Sequence, residues 1–148
     1  MLENKESTEN VGKSLSEFEK NILKSDFEIA YEIAKTMPIE KVFEELYVVT
    51  EMKMITLLPY NLLPYAFVTS VLMKKESVEY HMLAADLMIM PYNALHGATE
   101  LALYHSRQAL KLDSNCKRAA SLVIALYKRK ETSATEEEYQ NALKVIQG

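Results

Sequence analysis

One cysteine, three glycines, four prolines and no tryptophan make up the short side of this 148-residue sequence. A lone Cys116 excludes an intramolecular disulfide and any cluster of thiolates around a metal. So few glycines and prolines cannot supply the many tight turns of a β-sandwich or barrel, and suit long helices. No Gly-rich phosphate loop, nucleophile elbow or His-Glu-x-x-His pair occurs. Residues 1–12 are polar and acidic with no apolar centre, unlike a secretory leader. With one cysteine and no leader, a reducing cytoplasm is the expected compartment.

What is present is an ordinary globular balance, 49% hydrophobic and 26% charged, with eight methionines and nine tyrosines. The formal charge is −4 but unevenly placed. Residues 1–51 carry twelve acids and six bases, a net of −6, whereas residues 105–130 carry seven bases against Asp113 alone, a net of +6. Such polarity either steers a charged partner or marks solvated helix faces. Met54 to Met73 is a run of twenty uncharged residues bounded by lysines. That length would span a membrane, but Pro59, Asn61 and Pro64 interrupt it, so a buried helix–turn–helix is expected and no membrane span.

The spacing of apolar residues predicts an all-α chain, with a flexible tail over residues 1–13 and a single helical domain over 14–148. Ser14 with Glu17, Ser25 with Glu28, and Thr135 with Glu138 stand three apart, as in capping boxes that satisfy free amides at a helix start. Pro38 suits the first turn of a helix, because its missing amide would be unpaired there. Two turns share a pattern thirty-two residues apart: Leu57-Leu58-Pro59-Tyr60-Asn61 and Ile89-Met90-Pro91-Tyr92-Asn93. They divide the chain into helix pairs, about 40–58 with 64–75, 78–90 with 97–112, and 116–130 with 136–147, with Ser77 capping the second pair. A helix–turn–helix unit recurring at about thirty residues predicts stacked antiparallel pairs that share a core.

Residues 98–127 carry a further pattern. Ala102 and Ala109 lie seven apart, followed by Leu110, Leu112 and Asp113, then Ala119-Ala120, Leu122 and Tyr127. In this pattern the segment, and more loosely residues 78–147, resembles a tetratricopeptide repeat, in which small alanines let two helices approach closely. Ser114 stands where that family usually has proline, the Trp and Gly of its first helix are missing, and the turn at Pro91–Gly97 is longer. The resemblance implies a helical-repeat array whose groove holds a protein or peptide.

None of the three histidines, His81, His96 and His105, stands at metal-ligand spacing from another His or a carboxylate. His105 shares a face with Ala98, Ala102 and Ala109 and is expected at the core, whereas His96 lies in the long turn. Asp86 sits in an apolar segment and needs a partner, a Tyr hydroxyl or His81, unless it anchors a ligand. Tyr60, Tyr65 and Tyr92 gather at the Pro-containing turns, either to pack or to form a binding rim. Met52, Met54, Met73, Met82, Met88 and Met90 read as a pliable core or as a greasy groove. The partner-binding set is therefore Tyr60, Asn61, Tyr65, Asp86, Tyr92, Asn93 and His96, with no catalytic residue, cofactor or metal. The leading expectation is a module that binds and masks a cognate protein or peptide, of immunity-protein, chaperone or adaptor type. The alternative is nucleic-acid binding through 105–130, which the net acidity disfavours.

Overall fold

Helix starts explain most of the architecture in the computed structural model, which describes residues 14–52 and 60–148. Among these residues there are eight α-helices, one 3-10 turn and no strand. Helix α1 (Glu17–Leu23) opens on a capping box, but with Ser16 and Glu19 rather than the expected Ser14 and Glu17. Both pairs fit the same spacing; Ser16 is favoured because its hydroxyl also reaches Glu45 Oε2 at 2.7 Å, tying α1 to α3. Helix α2 (Phe27–Ala34) starts after Asp26 without a side-chain cap, so the expected Ser25–Glu28 box is not formed. Ser25 instead turns the chain at φ +60°.

Pro38 immediately precedes α3 (Ile39–Thr50) and its carbonyl accepts from the amides of Lys41 and Val42. Val42, Leu46 and Val49 bury one stripe of this helix. The helix ends at Thr50, short of the expected residue 58, with Glu51 and Met52 in a turn; residues 53–58 of that expectation lie outside the described residues. Thr50 turns its hydroxyl onto the Tyr47 carbonyl at 2.5 Å, and its own carbonyl accepts from the Asn61 amide at 3.1 Å, so the helix stops at residue 50. The first Pro-Tyr-Asn turn thus lies only partly within the described residues, and the expected tail 1–13 lies outside them.

From residue 63 onward the expected boundaries hold to within a residue or two: α4 (Leu63–Lys74), α5 (Val78–Ile89), α6 (Ala98–Leu112), α7 (Lys117–Arg129) and α8 (Glu136–Gln147). Ser77 caps α5 by accepting from the Tyr80 amide, and Thr135 with Glu138 forms the expected box at α8. Between α5 and α6 a 3-10 turn, η1 (Tyr92–Ala94), leads to Gly97 at φ +85°, a conformation that would strain any side chain. No helix of the described residues is long and apolar enough to cross a membrane.

Helix α1 packs on α2, α3 and α4, with Phe67 of α4 edge-on to Phe18 and Phe27 at 5.4 and 5.9 Å. Farther along, α5 and α6 make the most extensive helix contact, and α7 packs on both α6 and α8. The α5–α6 contact is close because small side chains line it: Ala84 and Ala85 face the α6 stripe Ala98, Ala102, Ser106 and Ala109, all buried. One contiguous cluster of buried apolar side chains runs from Phe18 to Ala142.

Candidate functional site

Two concave regions bring chemically distinctive residues together. The first is a cleft of about 390 Å³ where α3, α5 and the start of α7 meet. Ile39 and Phe43, one turn apart on α3, form an apolar floor with Leu83 and Ile89 of α5 and with Met90 just past its end. Carboxylates stand on both banks: Glu40 and Glu44 on α3, Glu79 and Asp86 on α5. Among the described residues the single cation in the lining is Arg118, so that lining carries four acids and one base, a net of −3. Arg118 donates to Asp86 Oδ2. The partner of Asp86 is therefore Arg118, thirty-two residues on at the start of α7, and not the expected tyrosine or His81. Burial nonetheless holds the Asp86 carboxyl above its ordinary value, and the guanidinium only partly offsets this.

The second region is a smaller cavity of about 260 Å³ lined by residues of α4, α5 and α6, including Tyr65, His81, Tyr104 and His105, and by Glu76 of the α4–α5 connection. His81 and His105 are almost fully buried and their Nδ1 atoms lie 3.0 Å apart. His105 Nε2 lies 2.9 Å from the Tyr65 hydroxyl, and His81 Nε2 lies 3.6 Å from Glu76 Oε1. Only one direction of donation suits every group. The Tyr65 hydroxyl donates to His105 Nε2, His105 Nδ1–H donates to His81 Nδ1, and His81 Nε2–H faces the Glu76 carboxylate. Burial, with the neighbouring His81, pushes His105 down to about 4, and burial also lowers His81 against the pull of Glu76. Burial raises the Tyr65 hydroxyl. Both rings are thus neutral near pH 7, and the string ties three helices together.

Sequence spacing did not reveal this pair, because the two histidines are twenty-four residues apart. The signal was nonetheless present. A hairpin of helices folded about Asn93 places residue 81 opposite 105, 84 opposite 102 and 88 opposite 98, and all six are buried.

The expected partner-binding residues fall in several places. Asp86 lines the α3–α5–α7 cleft. Tyr92 is not at a rim: it is fully buried, and its hydroxyl donates to the Asn61 carbonyl. Burial raises its pKa. Asn61 is buried too, with Oδ1 accepting from the Leu63 amide at 3.0 Å, so it starts α4 while anchoring η1. Tyr60 is half-buried and edge-on to Tyr92, with ring centroids 6.1 Å apart. Tyr60 and Asn61 therefore meet Tyr92 instead of standing in a row with it at a surface. Tyr65 belongs to the histidine cavity, while Asn93 and His96 are exposed in the α5–α6 connection.

The methionines differ widely in exposure. Met82 and Met88 are buried, Met90 stands half-exposed at the cleft, and Met73 is exposed beside the histidine cavity. Met52 is half-buried, and Met54 lies outside the described residues. Cys116 immediately precedes α7. No group of three or more metal-ligating side chains occurs among the described residues. Compared with protein-family models, with curated proteins and with solved structures, the chain matches none.

Proposed function

We propose that this chain is a protein-interaction module, not an enzyme, which binds and masks a segment of a cognate protein in the α3–α5–α7 cleft. The observation that carries the reading is the cleft itself: an apolar floor open to solvent, walled by three helices and rimmed with charge. Concave apolar sites with a few convergent polar groups are where ligands bind, and Met90 at the edge supplies an adaptable surface. In this reading α3, α5 and α7 are the first helices of successive antiparallel pairs in a tetratricopeptide-like array, whose first helices together line one face. An immunity protein, chaperone or adaptor acting in the cytoplasm fits a domain of this kind, on analogy of architecture.

The nucleic-acid reading loses support from the placement of its bases. Arg107 is held by Glu138, with Nε at 2.6 Å, and Arg118 by Asp86, so two of the seven cations are already neutralised within the fold. Phe43→Glu tests the interaction reading, since it puts a charge on the half-buried cleft floor and leaves Val42, Leu46 and Val49, the fully buried stripe of α3, in place. Affinity capture with the parent chain is expected to retain a protein that the variant loses at equal helicity. Equal capture by both would refute the cleft as the working surface.

A further inference from the structure

Resting on that reading, the chemistry of the cleft identifies what enters it. Its floor is built from the sides of α-helices, whose backbone amides and carbonyls are already bonded within each helix, so no sheet edge is offered for strand addition. An extended segment would lay unpaired amides and carbonyls over Ile39, Phe43 and Leu83, at the cost of leaving them without partners. A helical segment satisfies its own backbone and presents only side chains. The banks then set the charge. Glu40, Glu44 and Glu79 are exposed. Among described cations only Lys41 lies within 4 Å of one of them, Nζ being 3.8 Å from Glu44 Oε2, and Lys41 also reaches toward Glu45; Lys35 and Lys75 line a neighbouring hollow with Glu79 but form no ion pair with it. The Asp86 carboxylate is taken by Arg118 at one end. Carboxylates on opposite banks with an apolar floor between them are complementary to a helix with an apolar stripe flanked by cations.

We propose that the occupant of the α3–α5–α7 cleft is a cationic amphipathic helix of a partner protein. Its apolar side chains seat between Phe43 and Leu83, and its Lys or Arg side chains face Glu40 and Glu44 on one bank and Glu79 on the other.

The test titrates the full chain with a labelled Leu/Lys amphipathic helical peptide, read by fluorescence anisotropy, beside its Leu/Glu counterpart and a scrambled Leu/Lys sequence of equal charge. The Leu/Lys helix is expected to bind, and the other two at least about tenfold more weakly, since like charges repel and scrambling removes the stripe. Glu40→Gln, Glu44→Gln and Glu79→Gln together should weaken binding about tenfold, each rim pair being worth a few-fold at most. These positions are exposed, and unchanged far-UV circular dichroism confirms that the triple variant folds.

Several outcomes overturn the inference: no binding of the Leu/Lys helix, equal binding of the Leu/Glu helix or the scrambled peptide, or an unmoved affinity in the triple variant. If Phe43→Glu still abolishes capture of the natural partner while the peptide arm fails, the cleft reading stands and only the charge and helix assignment falls. If Phe43→Glu changes neither, the cleft reading falls with it. Sedimentation of the chain alone supplies the remaining arm. A dimer that Phe43→Glu dissolves would give the cleft to a second copy of this chain and overturn the assignment to a foreign helix.

Discussion

Acidification should weaken this fold well above the pH at which carboxylates titrate, and the reason lies in the buried pair His81 and His105. An unfolded histidine takes a proton near pH 6.5, whereas burial holds His105 down to about 4. Between those values the unfolded chain binds more protons than the folded one, so stability rises with pH. The contribution is therefore complete above about pH 6.5 and is lost as pH falls toward 4. Integrated for His105 alone, the loss is about 2 kcal/mol between pH 7 and 5 and about 3 kcal/mol by pH 4. His81, lowered by burial in the same direction, adds to it. The exposed groups around the pair do not reverse the sign. Glu76 favours the charged ring of His81 but is outweighed by burial, and the Tyr65 hydroxyl is raised still further from this range. Urea unfolding followed by circular dichroism at steps from pH 7.5 to 5 measures the slope. His105→Gln keeps a polar side chain without the titration, and should be less stable at pH 7 yet lose less than half as much on acidification. A parent chain whose stability is flat over this range, or a variant with the parent's slope, would refute the argument from burial.

Two further substitutions probe the frame that positions the cleft. Ala102→Leu inserts a branched side chain where α6 meets α5, at a fully buried position, and should cost about 1–3 kcal/mol through overpacking; thermal unfolding measures it, and a variant as stable as the parent would refute the close α5–α6 contact. Tyr92→Phe removes the hydroxyl that donates to the Asn61 carbonyl, and should cost about 1–3 kcal/mol by leaving that buried acceptor unpaired. Chemical denaturation reads it, with no loss as the contrary result.

How much of this was legible before folding depends on the range of each interaction. The helices after residue 63 were readable because their signals are local. Ser77 caps the amide three residues on, Thr135 and Glu138 reciprocate, and Gly97 supplies the one conformation the turn needs. The start of α1 was ambiguous by two residues, since two serines precede glutamates at the same spacing. A contact from α3, the Glu45 carboxylate, favours the second. The end of α3 was misjudged for the same kind of reason: the Asn61 amide, eleven residues on, takes the Thr50 carbonyl.

The candidate site was less legible still. Asp86 was singled out because an acid in an apolar segment needs a partner, but that partner came from α7. Tyr92 carries the same local signature as Tyr60, and only the meeting of Tyr60 and Asn61 with Tyr92 shows that one ring is interior. Nothing in the sequence singles out Glu40, Glu44 and Glu79. They acquire a shared role only when α3 and α5 are laid side by side.

The interaction surface is tested most directly by placing a photo-crosslinking residue at one exposed methionine at a time. Met90 stands at the cleft and Met73, more exposed, stands beside the histidine cavity. Illumination in cells is expected to give one discrete heavier species from position 90 and none from position 73. Crosslinking from 73 alone, or the same products from both, would contradict a partner seated between α3 and α5.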